Sequence, residues 1–307
     1  GYPMSKLPSL KNLSYLLALH QEQNFNRAAA ECNVSQSTLS SGIQNLEEQL
    51  DCQLIERHHK SFLFTALGEE VVEKARDIIS ASEELLHYAQ GQGNIMEGPL
   101  RLGIIPTIAP FVIGELSKNL QDKFPKLLLQ LSEDTTQNLL HRLRNGELDI
   151  LLLALPMDIQ GNQKWILGRD PFKLVVHKEL AETVGEPVDY DKLPDRSIFL
   201  LEKEHCMTGH AVAACQLTDS IKMNPFTATS LHSLVQMADA RLGATFVPQM
   251  AIDRGILENT DLVSLKPTGQ EASRDIGLVY RPTTSRRQTF RKIAEEIARL
   301  LPVNTLN

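Results

Sequence analysis

Between Asn26 and Leu50 the chain strings together an alanine-rich stretch, a turn-prone asparagine, one apolar residue, a serine and a longer polar-faced segment. That order leaves few options. Asn26 offers an N-cap for a short helix, Arg27-Ala28-Ala29-Ala30-Glu31-Cys32, whose small side chains allow close packing on a neighbour. Asn33 can take the left-handed conformation that ends it. Val34 reads as a buried pin and Ser35 as a second N-cap. Gln36 to Leu50 then reads as a helix with Leu39, Ile43, Leu46 and Leu50 on its inner face. A preceding amphipathic helix, Leu10 to His20, presents Leu13, Leu16, Leu17 and Leu19 for the pair to pack against. Short helix, tight turn, longer helix is the helix-turn-helix arrangement.

The outer face at the start of the second helix carries Ser35, Gln36, Ser37, Thr38, Ser40, Ser41 and Gln44, donors and acceptors of the size that reach base edges and phosphates in a major groove. A polar face of this kind is also what any solvated helix shows. Arg27, Arg57 and Lys60 are the basic residues placed to meet a duplex. Charge limits how they do so. The chain has 31 basic and 38 acidic residues, net −7, which excludes a uniformly basic polyanion binder. From Met4 to Thr65 five basic residues stand against six acidic ones. Each neutralised phosphate contributes about −0.9 to the slope of log affinity against log salt, so binding has to draw on several subunits together. Glu47 and Glu48 are expected to face away from the duplex.

Beyond Leu54-Ile55-Glu56-Arg57, the stretch His58 to Thr65 reads as a two-stranded wing. Gly68 to Gln90 is a long helix with Val71, Val72, Ala75, Ile78, Ile79, Leu85 and Leu86 at coiled-coil-like spacing, broken by Gly91-Gln92-Gly93-Asn94. After the break, strands (Gly98 to Ile105, Leu127 to Leu131, Leu148 to Leu153) alternate with helices (Val112 to Leu120, Thr135 to Gly146), the pattern of a parallel sheet in an α/β fold. Further strands are expected at Phe172 to Val176, Ser197 to Leu201, Thr245 to Val247 and Ile276 to Arg281, and a last helix at Arg287 to Leu301. No apolar run approaches the roughly 18 residues of a membrane span. The segment after Met4 is amphipathic rather than signal-like, so a cytoplasmic protein with no membrane partner is expected.

Four cysteines, Cys32, Cys52, Cys206 and Cys215, are too few for a secreted disulfide scaffold of this length. Cys32 and Cys52 read as packing residues. Cys206 follows His205 where a strand end gives way to a polar turn and a small-residue helix, a setting in which a helix dipole and a protonated imidazole stabilise a thiolate. Cys215 lies farther along that helix, about 13 Å away at ~1.5 Å per residue. A disulfide requires Cα atoms roughly 4.4–6.8 Å apart, so linking the two would force the segment to refold, as in a redox switch. Two inert structural thiols, a metal site of His205, Cys206, His210 and Cys215, and a thiol peroxidase are the other readings of these residues.

Phe25-Asn26-Arg27-Ala28-Ala29, Val34-Ser35-Gln36-Ser37-Thr38-Leu39-Ser40, Ile43, Leu46-Glu47, Leu50, Leu54-Ile55-Glu56-Arg57 and Thr65 with Gly68 together resemble the winged helix-turn-helix of LysR-type transcriptional regulators. The resemblance implies a DNA-binding domain over residues 4–65, a linker helix over 66–92 that pairs with the same helix of another subunit, and a regulatory domain over 98–307. It also implies that this domain is a two-lobed, periplasmic-binding-protein-like α/β fold with a ligand cleft between the lobes. Thr107 and Thr136 would face that cleft, while Thr135 reads equally as an N-cap.

His205-Cys206 and Cys215, after Phe199-Leu200-Leu201, further resemble the sensing segment of OxyR-type hydrogen peroxide regulators. That implies a peroxide-reactive thiol at Cys206, a resolving thiol at Cys215, and a peroxide site formed by Thr107, Thr136 and His205. The family's arginine ahead of the late strand matches Arg274 best, with Arg281 as second choice, and its charge would favour the thiolate. Glu204 departs from the family's glycine before the His-Cys pair and is expected to alter the peroxide threshold. The protein so implied is no enzyme, holds no metal or cofactor, works as a dimer of dimers with double-stranded DNA and RNA polymerase as partners, and activates peroxide-defence genes. The competing reading is a LysR-type regulator that answers a small effector between the lobes, with inert cysteines.

Overall fold

The computed structural model describes residues 6–90, 95–202, 221–267 and 272–307. They fall into two compact units, Gly1–Gln92 with Thr283–Ser285, and Gly93–Pro282 with Arg286–Asn307.

The first unit contains α1 (Leu10–Glu22), α2 (Phe25–Glu31), α3 (Gln36–Leu50), an antiparallel ribbon of β1 (Ile55–Arg57) and β2 (Phe62–Phe64), and α4 (Ala66–Gln90). Each of the first three helices starts on a side-chain cap. Ser9 accepts from the Asn12 N–H, Asn24 from Arg27 and Ser35 from Thr38. The cap of α2 is therefore Asn24, not Asn26. Asn24 Oδ1 reaches the Arg27 N–H at 2.9 Å, which starts the helix at Phe25 and leaves Asn26 exposed in its first turn. The turn after α2 forms as expected. Asn33 takes φ 55°, its N–H donates to Ala30 O and that of Val34 to Ala29 O, the paired closing bonds of a Schellman end.

The wing begins earlier than the sequence suggested. Ile55–Arg57 is its first strand, and His58 to Ser61 form the tip, closed by His58 N–H donating to Ser61 O. Leu16, Leu19, Leu39, Ile43, Leu46 and Leu54 are fully buried, with Val72 and Ala75 of α4 beside them. Each such side chain contributes about 1.5–3 kcal/mol. Gly68 lets α4 seat on the ribbon: a Cβ there would lie 2.1 Å from Leu54 O. Farther along α4, Ile78, Leu85, Leu86 and Tyr88 are exposed.

The second unit runs β3 (Gly98–Ile104), α5 (Ala109–Lys123), β4 (Leu127–Glu133), α6 (Thr136–Arg144), β5 (Ile150–Leu155), β6 (Gln163–His177), α7 (Lys178–Val184), β7 (Ile198–Leu201) and β8 (Met223–Ala228). It continues α8 (Leu231–Asp239), β9 (Ala244–Pro248), α9 (Gln249–Asp253), β10 (Leu262–Leu265), β11 (Ser273–Tyr280), α10 (Arg287–Ala298) and β12 (Val303–Asn304). The strand order is β4-β3-β5-β11-β6-β9-β7-β8, with β10 and β12 also on β6. Two parallel blocks, β4-β3-β5 and β9-β7-β8, stand at the ends. Between them β11 and β6 are antiparallel, so the sheet is mixed rather than parallel throughout. β6 carries both halves: Gln163–Pro171 pair with β11, and Phe172–Val175 pair with β9. A near-continuous apolar run such as Ile150–Leu155 reflects burial on both faces.

Candidate functional site

In the second unit a buried cluster joins the turn after β3, the start of β11 and the middle of β6. Thr107 lies in the turn between β3 and α5, 3% exposed, and Arg274 near the start of β11 is 1% exposed. Arg274 Nη1 donates to Thr107 Oγ1 at 2.6 Å and Nη2 to Thr107 O at 3.0 Å. The other edge of the guanidinium meets Asp170 of β6, with Nε to Oδ2 at 3.0 Å, and Nη2 also approaches Met250 Sδ at 3.3 Å. Asp170 Oδ1 in turn accepts from the Met250 N–H at 2.9 Å. Burial pushes the Asp170 carboxyl up, against the opposing pull of Arg274 and the Met250 N–H. An unpaired charge at this depth would cost several kcal/mol, on the order of 3–5, so arginine and aspartate require one another. Because Thr107 Oγ1 accepts from Arg274, its own hydrogen remains available to a ligand.

Asp170 and Met250 were missed by sequence reasoning. No clear signal singled them out: Asp170 stands between Arg169 and Lys173 in the sequence, and only strand pairing sets it against Arg274. Thr136, 2% exposed, opens α6, and Thr135 occupies its N-cap position without a side-chain cap bond. Arg281 is placed elsewhere: it follows the far end of β11 and donates to the carbonyls of Leu143 and Leu148 at 2.8 and 2.6 Å. Glu204, His205, Cys206 and Cys215 lie outside the described residues, as does His210. Among the described residues no group of three or more His, Cys, Asp or Glu is placed to hold a metal, and no helix is long and apolar enough to cross a membrane.

In the first unit Ser35, Gln36, Ser37, Thr38, Ser41 and Gln44 are exposed at the start of α3, and Ser40 is half-buried. Arg57 Nη1 donates to Ser40 Oγ at 3.1 Å, and its guanidinium lies 5.4 Å from the centre of the Phe25 ring. That contact ties the ribbon to α3. Arg27 donates to Glu22 O at 3.0 Å, and Lys60 projects from the wing tip. A groove of about 490 Å³ runs between Asn24, Asn26 and Gln36 on one side and Arg57, His59 and Lys60 on the other. Glu47 does turn inward, accepting from the Leu54 N–H at 2.8 Å. Cys32 and Cys52 pack against this core. Burial, then Glu31 for Cys32 and Glu47 and Asp51 for Cys52, pushes both thiols up and keeps them protonated.

Residues 10–69 match the bacterial regulatory helix-turn-helix of the lysR family, and residues 94–302 match the LysR substrate binding domain. The chain belongs to the LysR family of transcriptional regulators. As a member of that family it is a DNA-binding transcription regulator and not an enzyme. It is 35% identical over 297 residues to the HTH-type transcriptional regulator EstR of Acinetobacter baylyi, covering 97% of this chain and 98% of EstR. It is 34% identical over 289 residues to the dual regulator OxyR of Escherichia coli, covering 94% of each chain. Among solved structures, the OxyR2 E204G regulatory domain from Vibrio vulnificus is 56% identical, with a TM-score of 0.66, and the match spans 68% of this chain and 98% of that one. This LysR regulator is thus related to the OxyR peroxide-inducible activators.

The LysR assignment gives the two surfaces their places. The exposed start of α3 and the ribbon belong to the family's helix-turn-helix region, and Thr107, Asp170 and Arg274 to its substrate binding domain.

Proposed function

We propose that this LysR-family regulator senses hydrogen peroxide through Cys206 and signals by a Cys206–Cys215 disulfide. The observation that carries the reading is the presence of His205-Cys206 and Cys215 in a chain 34% identical to E. coli OxyR along 94% of its length. The Cys206 thiolate attacks one peroxide oxygen, the O–O bond breaks, and the sulfur becomes a sulfenic acid as hydroxide leaves and takes up a proton to form water. The Cys215 sulfur then attacks Cys206 Sγ and displaces the hydroxyl as a second water. The two thiols together lose two electrons to peroxide, and no cofactor or metal enters the balance.

Thr107 supports this reading. Its hydroxyl hydrogen can be given to a peroxide oxygen because Arg274 already supplies the bond that its oxygen accepts. Thr136 and His205 complete the proposed peroxide site. Arg274 serves it as a positioning residue: Asp170 balances its charge, so its effect on the thiolate is exerted chiefly through Thr107. Glu204, in place of the glycine that the OxyR resemblance leads one to expect before the His-Cys pair, alters the peroxide threshold.

Residues 4–65 bind operator DNA through Arg27, Ser35, Gln36, Ser37, Thr38, Ser40, Ser41, Gln44, Arg57 and Lys60. Residues 66–92 pair subunits, consistent with the exposed Ile78, Leu85, Leu86 and Tyr88, and residues 98–307 form the sensor. A dimer of dimers in the cytoplasm, whose geometry on DNA changes with the disulfide, recruits RNA polymerase to peroxide-defence genes. Replacing Cys206 by Ser tests this reading. Loss of peroxide-dependent transcription with operator binding retained supports it, and an undiminished response refutes it in favour of an effector bound between the lobes.

A further inference from the structure

The groove of about 490 Å³ on the first unit has a lining with one chemical bias: none of the described residues that form it is a carboxylate. Its helical side offers amides, among them Asn24, Asn26 and Gln36, and its ribbon side brings Arg57, His58, His59 and Lys60. Carboxylates close by in sequence are turned away or matched. Glu56 alternates with Arg57 along β1 and so projects from the opposite face of the ribbon, and Glu22 is paired with Arg27 at 3.7 Å. In a chain of net charge −7, a groove kept free of acids is a local surface for an anion.

His58 and His59 are the part of this surface that the DNA contacts assigned above leave out. Both are exposed at the wing tip, and among the described residues neither imidazole has a hydrogen-bond or ion-pair partner. The tip does not need the rings for its shape, since its closing bond runs from the His58 backbone N–H to Ser61 O at 2.8 Å. His20, the other histidine of residues 4–65, is by contrast engaged on both ring nitrogens, Nε2 lying 2.8 Å from Glu69 Oε2 and Nδ1 3.3 Å from Arg76 Nη2.

A neutral imidazole supplies one donor, whereas a protonated one supplies two donors and a positive charge. Five basic side chains and six acidic ones leave residues 4–65 at net −1 with histidine neutral, so two further protons reverse the sign of the domain. A duplex presents about one phosphate charge per 1.7 Å of its axis, and negative charge favours the protonated form of a nearby imidazole. A phosphate contact made by such a ring therefore takes up a proton, and its strength rises as pH falls.

We infer that His58 and His59 are proton-dependent phosphate contacts that make the DNA affinity of this protein a function of pH, an inference that rests on the reading of the groove as DNA-facing. The test is fluorescence anisotropy of the full-length protein on a tetramethylrhodamine-labelled DNA duplex of arbitrary sequence, at about pH 6 and about pH 8 and fixed ionic strength. The unaltered protein is expected to bind about tenfold more tightly at the lower pH, with a salt slope steeper by about one to two per subunit. His58→Gln combined with His59→Gln should lose most of that ratio, and His58→Lys combined with His59→Lys should bind tightly at both pH values. His141→Gln, in the regulatory unit, should keep the full ratio. Equal affinity of the unaltered protein at the two pH values, or a full ratio retained by the glutamine variant, would overturn the inference and leave the DNA-facing groove standing. No binding at either pH would overturn both.

Discussion

Arg274 Nη1 donates to Thr107 Oγ1 at 2.6 Å, joining residues 167 positions apart in the chain. Asp170 holds the guanidinium from the opposite edge, so the threonine hydroxyl has a fixed acceptor role and a fixed direction for its remaining hydrogen. Thr107→Val keeps the volume but removes both. Peroxide oxidation of Cys206, followed by stopped-flow loss of free thiol, should slow about tenfold or more, the equivalent of one hydrogen bond to a charged species. Unfolding free energy should fall by about 0.5–1.5 kcal/mol, the net worth of the lost side-chain hydrogen bond to Arg274. An oxidation rate equal to that of the unaltered protein would remove Thr107 from the proposed site.

A second buried carboxylate is expected to contribute to acid stability. Asp149 accepts from Arg101 N–H at 2.8 Å and Nη2 at 2.9 Å, with Arg281 and Arg286 each at 3.8 Å. Burial acts to raise it, but the side-chain and backbone hydrogen bonds of Arg101 and the charges of Arg101 and Arg286 outweigh burial and hold the carboxyl below its usual value. A carboxylate depressed in the folded state stabilises it above the unfolded pKa of about 3.9, and that contribution is lost as pH falls through the folded value. Urea unfolding of the unaltered protein should therefore show stability declining below about pH 4. Asp149→Asn should cost about 2 kcal/mol at neutral pH and flatten the acid limb. An unchanged acid limb would show that other groups carry it.

The cap of α2 is a simple comparison. Asn24→Ala should lower stability by about 1 kcal/mol in thermal unfolding, whereas Asn26→Ala should stay within about 0.5 kcal/mol of the unaltered protein. The reverse order would return the helix start to Asn26.

Those two asparagines also show how far local sequence reasoning reaches. Ser35, Asn33 and the Leu39-Ile43-Leu46 stripe act within one turn of themselves, and α3 begins and ends where they place it, at Gln36 and Leu50, although Leu50, expected on the inner face, is exposed at the helix end. Asn24 and Asn26 are chemically equal as caps; it is Asn24 that takes the extended backbone and accepts from the Arg27 N–H, while Phe25, the first helical residue, packs on Phe62 with ring centres 5.0 Å apart. The wing was misplaced because Ile55-Glu56-Arg57 carries no strand alternation of its own and is drawn into one by pairing with Phe62–Phe64. In the regulatory unit the alternating strands and helices were legible, but the direction of β11 and β6 was not, since an apolar run is the same read either way. Asp170 and Arg274 lie 104 residues apart; their pairing is a property of strand order, which a single sequence does not display.

Lys60 projects from the wing tip beside the groove that also carries Arg57. As a phosphate contact it should act on all sequences alike. Lys60→Ala should weaken operator and non-operator DNA by similar factors and lower the salt slope by about one per subunit. Gln36→Ala should instead reduce discrimination between operators, at about 1–3 kcal/mol for a lost base contact. Fluorescence anisotropy over a salt series separates the two, and a sequence-dependent effect of Lys60→Ala would assign that residue to base recognition.

The most direct test is peptide mass mapping of the full-length protein under non-reducing conditions, before and after stoichiometric hydrogen peroxide, with Cys206→Ser run in parallel. A Cys206–Cys215 cross-linked peptide that appears with peroxide, disappears with reductant and is absent from Cys206→Ser is the predicted result. Free thiols at both positions after treatment, in protein that still activates transcription in response to peroxide, would contradict it.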